Sequence, residues 1–199
     1  MLRWRRVEIS GGALLMLAAL YYLDGQGILP LALLACALHE VGHWLAIRAL
    51  GGRVTALRLT CVGAEMRLSA RHPLGYAGQS IAALAGPCAN LAAAWAAARA
   101  GTETGYCFAG LNLALGAFNL FPAAQLDGGR VLWCALAPLV GRERADRFVP
   151  ALSAALAAGL VCGALLLVWQ GRGNLSLLVT ALWLLAAPAA GRLHAGRLG

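Results

Sequence analysis

The sequence contains no lysine, and charge of either sign is sparse: charged residues make up only 12% of the 199 positions. A soluble domain carries about 25%, because its surface must be solvated by water. With 61% hydrophobic residues, this scarcity excludes an ordinary soluble domain and points to a chain solvated largely by lipid. The length suits a single domain, 1–199, with no room for a sizeable soluble second one. There is no CxxC pair. Cys36, Cys61, Cys88, Cys107, Cys134 and Cys162 are scattered, which argues against a disulfide framework or a cysteine zinc site and leaves them as small apolar filler. Internal repeats and low-complexity linkers are missing too, beyond a bias to alanine and leucine that suits close helix packing in lipid.

The net charge of +8 does not imply a nucleic-acid partner, which would need a basic face on a soluble scaffold. The arginines instead cluster between apolar runs. A spanning helix takes roughly 20 apolar residues, and six stretches qualify: about 7–23, 28–50, 76–100, an interrupted region 105–140, 147–170 and 174–190. Tyr21-Tyr22-Leu23-Asp24 is no small-residue cleavage site, so the first stretch is expected to be an uncleaved span. Arg3, Arg5 and Arg6, the Arg48 to Arg71 group, the Arg142 to Arg147 cluster, and Arg192 with Arg197 fall on one side, against Arg99 and Arg172 on the other. The positive-inside rule then predicts that both termini are cytosolic. The expected fold is an all-α polytopic membrane protein with about six transmembrane helices.

One segment differs. Leu57, Leu59 and Cys61 alternate with Arg58, Thr60 and Val62, and after Gly63 the residues Ala64, Met66 and Leu68 alternate with Glu65, Arg67 and Ser69. Period two around a glycine predicts a small β-hairpin with one apolar face at the membrane surface. It is either a plain amphipathic hairpin or an edge that captures an extended substrate.

The chemistry is concentrated in the second stretch, at His39-Glu40-Val41-Gly42-His43. Residues four apart share a helix face, so both imidazoles reach one metal, and Glu40 lies beside it as a general base. Zinc accepts nitrogen and oxygen ligands without redox chemistry of its own and can activate water near neutral pH. Ionisable residues in the middle of a span are costly and by default functional; helix packing alone is the bland alternative. A catalytic zinc takes three protein ligands. Glu65 and His72 fall in the polar surface segment, whereas Asp127 lies where Pro122 and Gly128-Gly129 break the fourth region. Such a break is tolerated at membrane depth only when protein or a water-filled cavity surrounds it. Asp127 is the expected third ligand; its alternative role is an N-cap.

Three ordered motifs, the HExxH of His39 to His43, the Gly-Pro-x-x-Asn of Gly86 to Asn90, and Asn119-Leu120-Phe121-Pro122 with Leu126-Asp127-Gly128-Gly129, together resemble the site-2 protease family of intramembrane zinc metalloproteases. They cover roughly residues 30 to 135. The resemblance implies three core helices around one zinc per chain, with His39, His43 and Asp127 as ligands and Glu40 as base. It implies a membrane-associated protein substrate in a bacterial membrane. It also brings Asn90 near the site, either as a donor to substrate or oxyanion or as an interhelical hydrogen bond. Asn119 contacts substrate or caps the broken backbone.

The compact layout is most similar to the branch that processes a sporulation sigma factor (stage IV sporulation protein FB-like), in the cell or forespore membrane. Two departures stand against that. A nucleotide-binding CBS domain is not expected after the last span, which puts nucleotide regulation in doubt, and Gln125 replaces the proline common before Leu-Asp-Gly. No PDZ insertion is present either, which disfavours the type that trims anti-sigma factors. Substrate, regulatory membrane partner and oligomeric state stay unnamed. The rival reading is a zinc-binding membrane scaffold or transporter. A transporter places charges on several helices along a path, whereas here they gather in one spot.

Overall fold

The computed structural model describes residues 2–4, 7–60, 63–69, 73–170, 180, 182 and 184, in two compact units, Met1–Ala117 and Phe118–Gly199. The first holds β1 (Leu2–Trp4), β2 (Val7–Ile9), α1 (Gly11–Leu23), α2 (Leu29–Ala49), β3 (Val54–Thr60), β4 (Gly63–Leu68), α3 (Tyr76–Ala98) and nearly all of α4 (Glu103–Asn119).

The strands form one sheet in the order β1-β2-β3-β4. β3 and β4 pair antiparallel, with Leu57 opposite Met66 and Leu59 opposite Ala64. The sheet has two further strands at the N-terminus: β2 runs parallel to β3, Val7 beside Leu57 and Ile9 beside Leu59. The first apolar stretch therefore does not begin as a helix at residue 7. Val7-Glu8-Ile9 alternates and carries two β-branched residues, which suit a pleated surface. The helix starts only after Ser10, whose hydroxyl accepts from the Ala13 amide at 3.1 Å. α1 is left with 13 residues, about 20 Å at roughly 1.5 Å per residue, short of a hydrocarbon core of about 30 Å.

α2 is held at its start by Asp24. Its carboxylate accepts from the amides of Ile28 and Leu29, each at 2.9 Å, which serves donors that no helical carbonyl can reach. The hydrogen bond from Leu29 leads the causes that hold the Asp24 carboxyl below its ordinary value. A depressed folded-state value means that the contribution is fully present above the unfolded value of about 3.9 and is lost as pH falls through the lower folded one. Asp24→Ala is expected to lower the thermal midpoint in micelles at about pH 7, and the difference should vanish at about pH 2. A difference that persists there would mean the side chain acts by packing.

α2 and α3 pack closely because the residues between them are small. A Cβ on Gly42 would stand 2.6 Å from the Ala85 carbonyl oxygen and 2.9 Å from the Ala89 Cβ. Ala35, Ala82, Ala83 and Ala94 are buried. This is packing by close backbone approach, the mode available where lipid removes any hydrophobic drive between helices.

The second unit holds α5 (Asp127–Val140) and α6 (Arg142–Trp169). The interrupted fourth region is thus two helices, with residues 120–126 non-helical between α4 and α5. Ala123 and Leu126 from this connection are buried with Ala157 and Leu184. Gln125 secures it: its amide donates to the Leu184 carbonyl at 3.1 Å, and its oxygen accepts from Ser153 at 3.3 Å. Proline could make neither bond.

Three helices among the described residues are long and apolar enough to cross a membrane, α2, α3 and α6. Their outer faces, and those of α1 and α5, leave large apolar side chains bare, such as Leu15 at 75%, Leu139 at 80% and Trp169 at 87%. Apolar exposure on this scale calls for lipid as the solvent, and the chain is an integral membrane protein. The expected span at 174–190 lies outside the described residues except at Thr180, Leu182 and Leu184.

Candidate active site

Along α2, Ala35, His39, His43 and Ile47 follow one another at intervals of four, so they line one face. Ala35, His39 and Ile47 are buried. His43 is partly buried and lies where α3 has room for it: a Cβ on Gly86 would overlap the His43 ring. The next residue, Pro87, has no N–H and so withdraws one helix hydrogen bond. One turn earlier the Ala82 carbonyl lies 2.7 Å from His43 Nδ1. Gly86 of the second motif thus makes room for the His43 ring of the first.

The hydrogen-bond network assigns the protons. A carbonyl only accepts, so His43 Nδ1 carries the hydrogen toward Ala82, and its Nε2 is left as a lone pair. His39 follows by a longer chain. Asn90 Nδ2 faces the Ala35 carbonyl at 3.0 Å and Asn112 Oδ1 at 2.7 Å. Both its hydrogens are committed there, so Asn90 Oδ1 accepts, and His39 Nδ1 at 2.6 Å must be the donor. His39 Nε2 is then a lone pair too.

The two Nε2 atoms lie 3.0 Å apart. In the neutral tautomers that these partners favour, neither has a hydrogen to offer the other, and the contact brings together two acceptors that one cation could share. Two neutral imidazoles with converging lone pairs, each oriented through its other nitrogen, form a zinc-type donor set.

Glu40 is partly buried and borders an apolar cavity of about 280 Å³, whose other walls include Trp44 of α2, Leu57 of β3 and Met66 of β4. A carboxylate at the edge of an apolar cleft beside a metal-binding pair can take a proton from water and hand it on.

The remaining sequence-derived candidates fall differently. Asn90 is fully buried, and its amide hydrogens are used within the protein, so it has none to donate to a substrate or oxyanion. Of the two roles expected of Asn90, these contacts are those of the interhelical one, since the side chain joins α2, α3 and α4. Asn119 is the last residue of α4, and Asp127 is the first of α5; both are partly buried. In the second unit, a Cβ on Gly128 would overlap the Leu120 carbonyl, and one on Gly129 the Ala123 carbonyl. The glycines after Asp127 therefore let the connection fold tightly over the start of α5. Sequence reasoning placed Gly42 and Gly86 inside motifs without giving either a packing role, and it missed Asn112. A lone amide between leucines, Leu111-Asn112-Leu113, was the available signal for the last.

Residues 95–163 match the model of Peptidase family M50. The candidate zinc metalloprotease Rip3 of Mycobacterium tuberculosis, found in two strains, is 33% identical over 172 aligned residues, covering 73% of this chain and 44% of Rip3. The chain thus spans less than half the length of that relative. Among solved structures, the site-2 protease from Methanocaldococcus jannaschii superposes with a TM-score of 0.74 at 20% identity, covering 96% of this chain and 93% of the other. The fold is similar to that of this site-2 protease. By sequence the chain is similar to Peptidase family M50 over residues 95–163.

Proposed function

We propose that this chain is an intramembrane zinc metalloendopeptidase, which hydrolyses a peptide bond in or near the membrane segment of a membrane-associated protein. The observation that carries this reading is the pair of converging Nε2 lone pairs, 3.0 Å apart, on an HExxH helix. Asp127 is assigned as the third ligand, from its place in the Leu-Asp-Gly-Gly motif. Zinc supplies Lewis acidity toward a carbonyl oxygen and lowers the pKa of water to about 7. Glu40 accepts the proton of the attacking water and later gives one to the leaving amine. The apolar cavity beside Glu40 suits an apolar substrate side chain next to the cut bond. Of the two amides named from the sequence, Asn119 is assigned the substrate contact in this reading, because the Asn90 amide hydrogens face Ala35 and Asn112. A helical substrate must unwind locally, since a helix engages its own carbonyls. In this reading six apolar stretches lie in the membrane, both termini are cytosolic, and substrate enters from that side.

Resemblance in layout is the support for the narrower role in sporulation, so a pro-sigma factor belongs among the substrates tried. The test is co-expression with membrane-associated candidates, wild type beside Glu40→Gln, with zinc quantified in both. Wild type is expected to cut one of them. Glu40→Gln should cut about 10²- to 10⁴-fold more slowly while holding the same zinc, about one per chain. Zinc without cleavage of any candidate would favour the scaffold or transporter. Wild type that takes up no zinc would sink the reading.

A further inference from the structure

The chain of amides behind His39 does not end at Asn90. Asn112, on α4, is fully buried. Its Nδ2 donates to the Phe108 carbonyl at 2.9 Å. Because that carbonyl can only accept, the amide cannot flip, and Oδ1 is turned toward Asn90. Asn112 Oδ1 then accepts from Asn90 Nδ2 at 2.7 Å, which holds the Asn90 oxygen toward His39 Nδ1 at 2.6 Å. The order is a backbone carbonyl of α4, an amide of α4, an amide of α3, and an imidazole of α2. The packing supports it one turn along α4, where a Cβ on Gly116 would stand 3.3 Å from the Asn90 Cβ and 3.3 Å from the Pro87 carbonyl oxygen. Gly116 lets α4 approach α3 closely enough for two short amide side chains to meet.

We propose that Asn112 is a positioning residue for metal binding: through Asn90 it fixes His39 in the tautomer and orientation that present Nε2 to the metal. His43 has a backbone carbonyl for this purpose, which cannot turn away. His39 depends on side chains, and Asn90 alone would not suffice. Without an acceptor at Asn112, one Asn90 hydrogen is stranded in an apolar interior, and the amide gains reason to rotate toward other partners. Groups that orient a metal ligand commonly contribute about 10- to 100-fold in metal affinity. A residue one step further out is expected at the lower end.

The inference rests on the reading of His39 and His43 as metal ligands. The full-length chain in detergent micelles would be titrated with zinc against a competing chelator, as wild type, Asn112→Leu and Asn112→Asp. Leucine removes the acceptor at similar volume. A buried aspartic acid held neutral keeps it, since its oxygen accepts from Asn90 and its O–H can serve Phe108. Asn112→Leu should bind zinc about tenfold more weakly, with its far-ultraviolet circular dichroism retained, and its cobalt complex should show shifted visible bands. Asn112→Asp should stay within about twofold of wild type on the same scale. Equal affinity in wild type and folded Asn112→Leu overturns the proposal, and so does an equal loss in both variants. If Asn112→Leu does not fold, Asn112→Asp decides alone: retained affinity and cobalt spectrum support the relay, and a loss of more than about fivefold overturns it. Wild type that binds no zinc overturns the metal-site reading with it; wild-type binding with unaffected variants removes only the role of Asn112.

Discussion

Gly86→Ala is expected to abolish zinc binding while leaving the membrane helices formed. The added methyl would occupy the position of the His43 ring, and that ring cannot yield without giving up its 2.7 Å bond to the Ala82 carbonyl and its place 3.0 Å from His39 Nε2. Overpacking in itself costs about 1–3 kcal/mol, and alanine is the better helix former by about 1 kcal/mol. The fold should therefore survive where the site does not. Zinc affinity should fall by at least about 100-fold, since the change displaces a ligand and not merely its support. Zinc content after purification, read beside helical circular dichroism, checks this. Gly110→Ala on α4 is the control, because a Cβ there meets nothing within 4 Å. Unchanged zinc in Gly86→Ala would mean that the His43 ring does not lie against α3 in the way described.

The second large effect is expected at Gly129. Its Cβ would overlap the Ala123 carbonyl and stand 2.9 Å from the Ala124 amide nitrogen. These are backbone atoms of a connection whose Ala123 and Leu126 are buried in the core of the second unit, so no side-chain rotation relieves the clash. Gly129→Ala should displace the start of α5, and Asp127 with it. The proposed proteolysis is expected to fall by more than about 100-fold, as when a positioned group is misplaced by about 1 Å. The thermal midpoint should also drop. Gly159→Ala, on α6 with nothing within 4 Å of its Cβ, should leave both unchanged. Full activity in Gly129→Ala would show that the connection yields without moving Asp127.

Both predictions concern glycines that have no chemistry of their own, and this marks how far the sequence could be read. His39, Glu40 and His43 were legible because a metal needs ligands of few kinds and a helix repeats its face every four residues. The break between α4 and α5 was legible from Pro122, which donates no helix hydrogen bond, whereas Gly128 and Gly129, read with it as part of the break, lie in the first turn of α5. The first apolar stretch misled, because hydropathy cannot tell a strand that joins a sheet from the start of a span, and the partner of Val7–Ile9 is some fifty residues away at Leu57–Leu59.

The sequence by itself determined the solvent and the reactive groups: sparse charge selects lipid, and the HExxH spacing selects a metal. Only the tertiary structure decided which nitrogen of each imidazole faces that metal. A tautomer depends on the partner of the other nitrogen, and those partners, the Ala82 carbonyl and the Asn90–Asn112 pair, come from α3 and α4. Their approach depends on helix packing around Gly42, Gly86 and Gly116, which no local pattern along α2 encodes.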